Sequence, residues 1–137
     1  MSLLVVDVGE VDFLNQILNR TLHLHLFSNN HTPGATDTVA SLTQVTGGGY
    51  AVISLTFANW VVTEGPPAVA LYNAFQDFSF TGVTGAPGTV YGYYITTSDN
   101  LTLLWEERFD PADVPFTPVN GSLIRVKPRL TLKTTGQ

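Results

Sequence analysis

Four groups of residues in this chain have side chains whose type or spacing could support chemistry. His23 and His25 stand two apart in LHLHLF. On a strand that spacing turns both imidazoles to one side, which is half of a metal site. No cysteine exists in the chain and no carboxylate neighbours the pair, so completion would need histidines from copies around a symmetry axis. The expectation is two polar-face histidines without a metal. His31, in the turn-rich segment NNHTPGATD, reads as a residue of local hydrogen bonding.

Glu106, Glu107, Asp110 and Asp113 offer the carboxylates that acid/base catalysis requires. Neighbours on a strand face opposite ways, so Glu106 and Glu107 cannot work as a pair. Glu106 and Arg108 share a face and are expected to form an ion pair. Asp110 opens an Asp-Pro turn. The run Gly47-Gly48-Gly49 lacks the Lys-Ser/Thr of a phosphate loop and precedes a strand pattern instead of a helix. No catalytic residue, no metal ligand and no cofactor is therefore expected, and the chain reads as a non-enzyme.

The elements around these residues follow from periodicity. An N-terminal arm leads to a helix with Val8, Val11, Leu14 and Leu18 at helical spacing, widened by Phe13 and Ile17. Asp7 and Glu10 have the spacing of a capping box, and the helix should stop near Asn19. From Thr21 the period changes to two. Strands are expected in Leu22 to Phe27, Tyr50 to Phe57, Trp60 to Thr63, Ala68 to Asn73, Phe75 to Thr81 and Ser122 to Lys133, punctuated by TGGGY, EGPPA and TGAPG. The hairpin TVYGYYITTSDNLTLLWEERF, turning at Ser98-Asp99-Asn100, is apolar on both sides and calls for cover on both. This pattern predicts an all-β fold, a β-sandwich or jelly-roll-like domain with a short N-terminal α-helix. It is read as one domain over 1–137, with arm and helix in 1–20 and the β-domain in 21–137.

Composition narrows the partners. Charged residues make up 12% and apolar residues 44%, a surface poor in charge, which suits a homo-oligomer or a permanent place in a larger assembly. The formal net charge of −5 argues against nucleic-acid binding. The opening MSLLVVDVGEVDF has no basic leader and its apolar run is cut by Asp7, so neither signal peptide nor membrane span is expected. Four of the six basic residues crowd IRVKPRLTLK. There Arg125, Lys127, Arg129 and Lys133 share one parity while Ile124, Val126, Leu130 and Leu132 share the other. Pro128 lacks a donor N–H and points to an edge strand.

Taken together, LLVVDVGEVDFLNQILN, LHLHLFSNNHTP, GGGYAVISLTFANWVVT, VYGYYITTSDNLTLLWEERF and IRVKPRLTLK resemble a family of small tailed-bacteriophage structural proteins across nearly the whole chain. The resemblance implies a virion component made in the host cytoplasm. Two placements follow: a capsid decoration or cement protein, trimeric and clamping the major capsid protein at the head surface, or a tail-fibre, baseplate or receptor-binding module contacting host glycans. For the cement placement, the expected contacts are Leu3, Val8, Val11, Leu14, Leu18, Arg125, Lys127 and Arg129. For the tail placement, Tyr91, Tyr93, Tyr94 and Trp105 would stack on sugars.

Overall fold

The computed structural model describes residues 4–82 and 88–132. The described residues are mostly β-strands in antiparallel sheets with one short α-helix, as the period-two pattern requires. They gather into two compact units. One is drawn from 4–21, 56–76 and 126–132, the other from 22–55, 77–82 and 88–125.

The first unit holds α1 (Asp7–Leu18), β3 (Trp60–Thr63), β4 (Ala68–Tyr72) and β9 (Arg129–Leu132). Its sheet has the order β3-β4-β9, and α1 packs on β3 and β4. Trp60 stands opposite Tyr72 in the register, and their rings meet edge-to-face at 5.1 Å. The Tyr72 hydroxyl accepts the Thr56 N–H and the Asn59 Nδ2–H, both at 3.1 Å. These bonds fix the 3-10 turn at Phe57–Asn59 that leads into β3.

The helix ends at Leu18 with Asn19 as its C-cap, close to the expected stop, yet the capping box is not formed. Val6 takes the N-cap position without a side-chain bond. Glu10 instead turns inward, is buried, and its Oε2 accepts the Ala68 N–H at 2.9 Å at the start of β4. A buried backbone donor left without an acceptor costs about 1–3 kcal/mol. An exposed cap is worth about 1 kcal/mol and water can replace it. The distant donor therefore wins the carboxylate. Asp7 still favours the positive helix end from the first turn.

The second unit is built on a four-stranded sheet ordered β2-β1-β6-β7, with β1 (Leu22–Phe27), β2 (Ile53–Leu55), β6 (Gly92–Thr97) and β7 (Leu103–Arg108). Leu22, Leu24, Leu26 and Phe27 on β1 are fully buried, as is Ile95 on the central β6. Tyr93 and Tyr94 are also buried, so β6 finds cover for both of its faces within this chain. Gly92 fits because the Phe27 ring lies where a Cβ would project, 2.6 Å from it. The hairpin turns at Asn100, whose φ of 62° is the left-handed conformation that Asn tolerates. A bulge between Ile95 and Thr96 shifts the β6–β7 register. The remaining strands, β5 (Gln76–Ser79) and β8 (Leu123–Val126), form a two-stranded sheet.

Two expected strands are altered most, and the Phe75 to Thr81 run is a strand only over Gln76–Ser79. The run from Tyr50 to Phe57 is a strand only over Ile53–Leu55. Tyr50 instead spends its hydroxyl on the Leu26 N–H at 3.1 Å and stacks its ring on Phe78. The C-terminal run is two strands instead of one, β8 paired with β5 and β9 with β4. Pro128 cannot donate to a ladder, so the run breaks there. The alternation itself survives, with Ile124 and Val126 buried and Arg125, Lys127 and Arg129 exposed. β9 lies at a sheet edge. Lys133 and residues 83–87, which take in most of the TGAPG run, lie outside the described residues.

Candidate functional site

The second unit brings together side chains that are far apart in the chain. His31 and Asp37 lie in the loop after β1, and Glu106 lies on β7. The loop is held at both ends by Asn29. Its Nδ2–H donates to the Ser41 carbonyl at 3.0 Å, and its Oδ1 accepts the Thr43 N–H at 2.8 Å. Within the loop the His31 N–H donates to the Asn29 carbonyl, and the Gly34 N–H donates to Asp37 Oδ2 at 2.6 Å. From β7, the Arg108 guanidinium donates to the His31 carbonyl at 2.9 Å and covers the Tyr91 ring. Loop and strand are thereby clamped together.

At the centre of this clamp, His31 Nε2 stands 2.7 Å from Asp37 Oδ2 and 3.9 Å from Glu106 Oε2. One ligand-type atom from each residue lies within 4.8 Å of both others. The Glu106 side chain is 8% exposed, and its Oε2 is buried with no hydrogen-bond partner. Burial and the adjacent Asp37 carboxylate push Glu106 up to about 7. Asp37 is held at about 2, mainly by its hydrogen bond with His31. Two neighbouring carboxyl groups cannot both ionise cheaply, and the environment divides them into an ionised and a proton-retaining member. The cluster borders a cleft of about 400 Å³ lined by Pro33, Gly34, Ala35, Leu103, Leu104 and Trp105.

The expected Glu106–Arg108 ion pair is absent. Glu106 turns to His31 and Asp37, and Arg108 to a backbone carbonyl. Glu107 accepts the Tyr93 hydroxyl at 2.6 Å. Asp110 accepts the Ala112 N–H at 2.9 Å, the turn role expected of it.

His23 and His25 have other tasks. Their rings are 6.2 Å apart, His23 Nδ1 meets Asn100 Oδ1 at 2.7 Å, and His25 Nε2 meets Thr96 Oγ1 at 2.9 Å. His25 is buried and stacks on Tyr94 at 4.6 Å. Burial is the first cause that lowers its pKa to about 4, followed by the charge of His23.

The expected contact residues divide. Val8 is exposed and Val11 half-buried, whereas Leu14 and Leu18 are fully buried and belong to the core instead of a free surface. Leu3 lies outside the described residues. Arg125 forms a two-pronged pair with Asp77, 2.8 and 3.1 Å. Lys127 lies over the Phe75 ring and Arg129 is exposed at the β9 edge. The sequence reading missed the His31–Asp37–Glu106 grouping. Its local trace is a His and an Asp six apart around a Pro-Gly turn. The third member joins only through the strand register.

No protein-family model, no curated protein and no solved structure matches this chain.

Proposed function

We propose that this protein is a non-enzymatic structural component of a bacteriophage virion, a capsid decoration or cement protein of β-sandwich or jelly-roll type. In this reading it forms a homotrimer and clamps major capsid protein subunits at the head surface. The observation that carries the reading is the N-terminal arm. Leu4 and Val6, in the segment that leads into α1, are 75% and 57% exposed, and Val8 in the first turn is 66% exposed, while the inner face of the helix is already spent on the core. Apolar side chains shown in a row to water favour burial against another chain. Modest contacts of this kind, summed over many copies, suffice for a clamp. Arg129 and Lys127, on the exposed parity of the C-terminal run, add a basic component that suits an acidic neighbour.

The tail-fibre reading needs aromatic faces open to sugars. Tyr93 and Tyr94 are buried, and Tyr91 is covered by Arg108, which favours the cement reading. No described helix is long and apolar enough to cross a membrane.

The test is copy number in purified particles, by quantitative mass spectrometry against the major capsid protein. Copies on the order of hundreds per particle, the regime in which weak contacts sum, support a shell position. A few to about a few dozen would move the protein to the tail. A L4S/V6S/V8S variant that still folds should fail to bind particles lacking the protein, and undiminished binding would refute the role of the arm.

A further inference from the structure

We propose that His31, Asp37 and Glu106 form a binding site for one divalent transition-metal cation, with zinc the best match, which fastens the loop after β1 to β7. The donor set is an imidazole nitrogen and two carboxylate oxygens, all drawn from the second unit. Zinc takes this mixture of ligands at about 2.0–2.2 Å, which places tetrahedral ligands about 3.4 Å from one another. The present separations of 2.7 and 3.9 Å bracket that value, and no pair exceeds 4.8 Å.

Three features set this group apart from an ordinary surface cluster. First, Glu106 Oε2 is buried and turned toward His31, and without a cation its relief is a hydrogen bond shared with the neighbouring Asp37 carboxylate. A desolvated acceptor of that kind is costly unless something positive or protic reaches it. Second, the candidate ligands are held from behind, as ligands in metal sites are. The Gly34 N–H fixes Asp37 Oδ2, and Arg108 fixes the His31 carbonyl. Third, a cleft adjoins the group on the side of Pro33–Ala35 and Leu103–Trp105. It gives the cation a path inward and a place for a water or an incoming ligand at a fourth position. A dication balances the paired carboxylates and takes the place of the proton that Glu106 otherwise keeps beside Asp37. The loop, otherwise tied to the strand mainly through Arg108, gains a direct tether.

The experiment titrates the full chain, stripped with a chelator, with zinc alone by isothermal calorimetry near pH 7.5. One zinc per chain is expected. H31A, D37N and E106Q should each weaken binding at least ~10-fold, whereas H23A should leave it unchanged. Each variant is checked for folding by circular dichroism. Because a variant could lose its fold, the wild-type protein is also followed by imidazole ¹H–¹⁵N NMR. Zinc should shift the His31 ring nitrogens and leave those of His25 in place. The proposal is overturned if folded wild-type protein takes up no zinc, if the three variants bind as the wild type does, or if the NMR response falls on His23 or His25 instead of His31.

Discussion

His25 and Glu106 should tilt the stability of this protein with pH in opposite directions, so that removing either exposes the other. His25 is 2% exposed. Thr96 Oγ1 donates to the Thr97 carbonyl at 2.9 Å, which leaves it to accept the His25 Nε2–H and leaves Nδ1 buried without a partner. Protonation would place an unpaired N–H and a charge in that position. A fall from 6.5 to about 4 corresponds to about 3 kcal/mol of preference for the neutral ring. Discounted for the polar His23 and Asn100 beside the ring, that preference is on the order of 1–2 kcal/mol. Below pH 6.5 the unfolded chain takes up a proton that the folded chain refuses. This contribution is therefore complete above pH 6.5 and is lost as pH falls toward 4. Glu106 works the other way. Its rise from 4.5 to about 7 means the folded state keeps a proton that the unfolded state releases, and stability is lost as pH climbs from 4.5 to 7. With a similar discount for a group beside a cleft, its size is also on the order of 1–2 kcal/mol.

The wild type should accordingly be nearly level between pH 4.5 and 7. E106Q should gain stability as pH rises, and H25F, which keeps the stack on Tyr94, should lose it. At roughly 3–5 °C per kcal/mol for a chain of this size, each variant's Tm should move by about 3–10 °C across the window. The assay is differential scanning calorimetry with chelator present throughout. If H25F and E106Q both trace the wild-type profile, the assignment of opposed protons to these two buried groups is wrong.

Other expectations rest on single contacts. E10A strands the Ala68 N–H that Glu10 now satisfies and should cost about 1–3 kcal/mol in urea unfolding. Y72F removes the acceptor shared by Thr56 and Asn59 and should cost about 1–2 kcal/mol, with faster amide exchange at Thr56 as its local signature. G92A forces a methyl group into the Phe27 ring and the facing strand. It should destabilise by about 1–3 kcal/mol or prevent folding, and a neutral result would mean that β6 and β7 are farther apart than described. R125A breaks an exposed pair with Asp77; such a pair carries little stability, so Tm should barely move.

Much of the local structure was legible in residue order. Helical spacing from Val8 to Leu18 places α1, and the period-two runs place β1 and the hairpin. Trp60–Thr63 is a strand over its full expected length. Alternation and turn residues act over a few positions, and the polar or apolar character of one side chain after another records them directly. The same logic placed the parity of Arg125, Lys127 and Arg129. It read Pro128 as a mark of an edge position without showing that the run would break into two sheets there.

Competition between distant partners lay outside that record. Asp7 and Glu10 have capping-box spacing, yet Glu10 is taken by a backbone N–H 58 positions away, because a buried donor outweighs an exposed cap. Glu106 and Arg108 share a face, but each finds a better partner in the loop after β1. His31 and Glu106 are 75 positions apart and meet only because β6 lies between β1 and β7 and the loop folds back over the sheet. Residue order by itself determined the all-β character, the short N-terminal helix, the low share of charge and the alternation of the main strands. Strand order, register, and hence which imidazole faces which carboxylate, were decided by the tertiary structure, because burying those groups is a choice among all partners in the chain and not among neighbours.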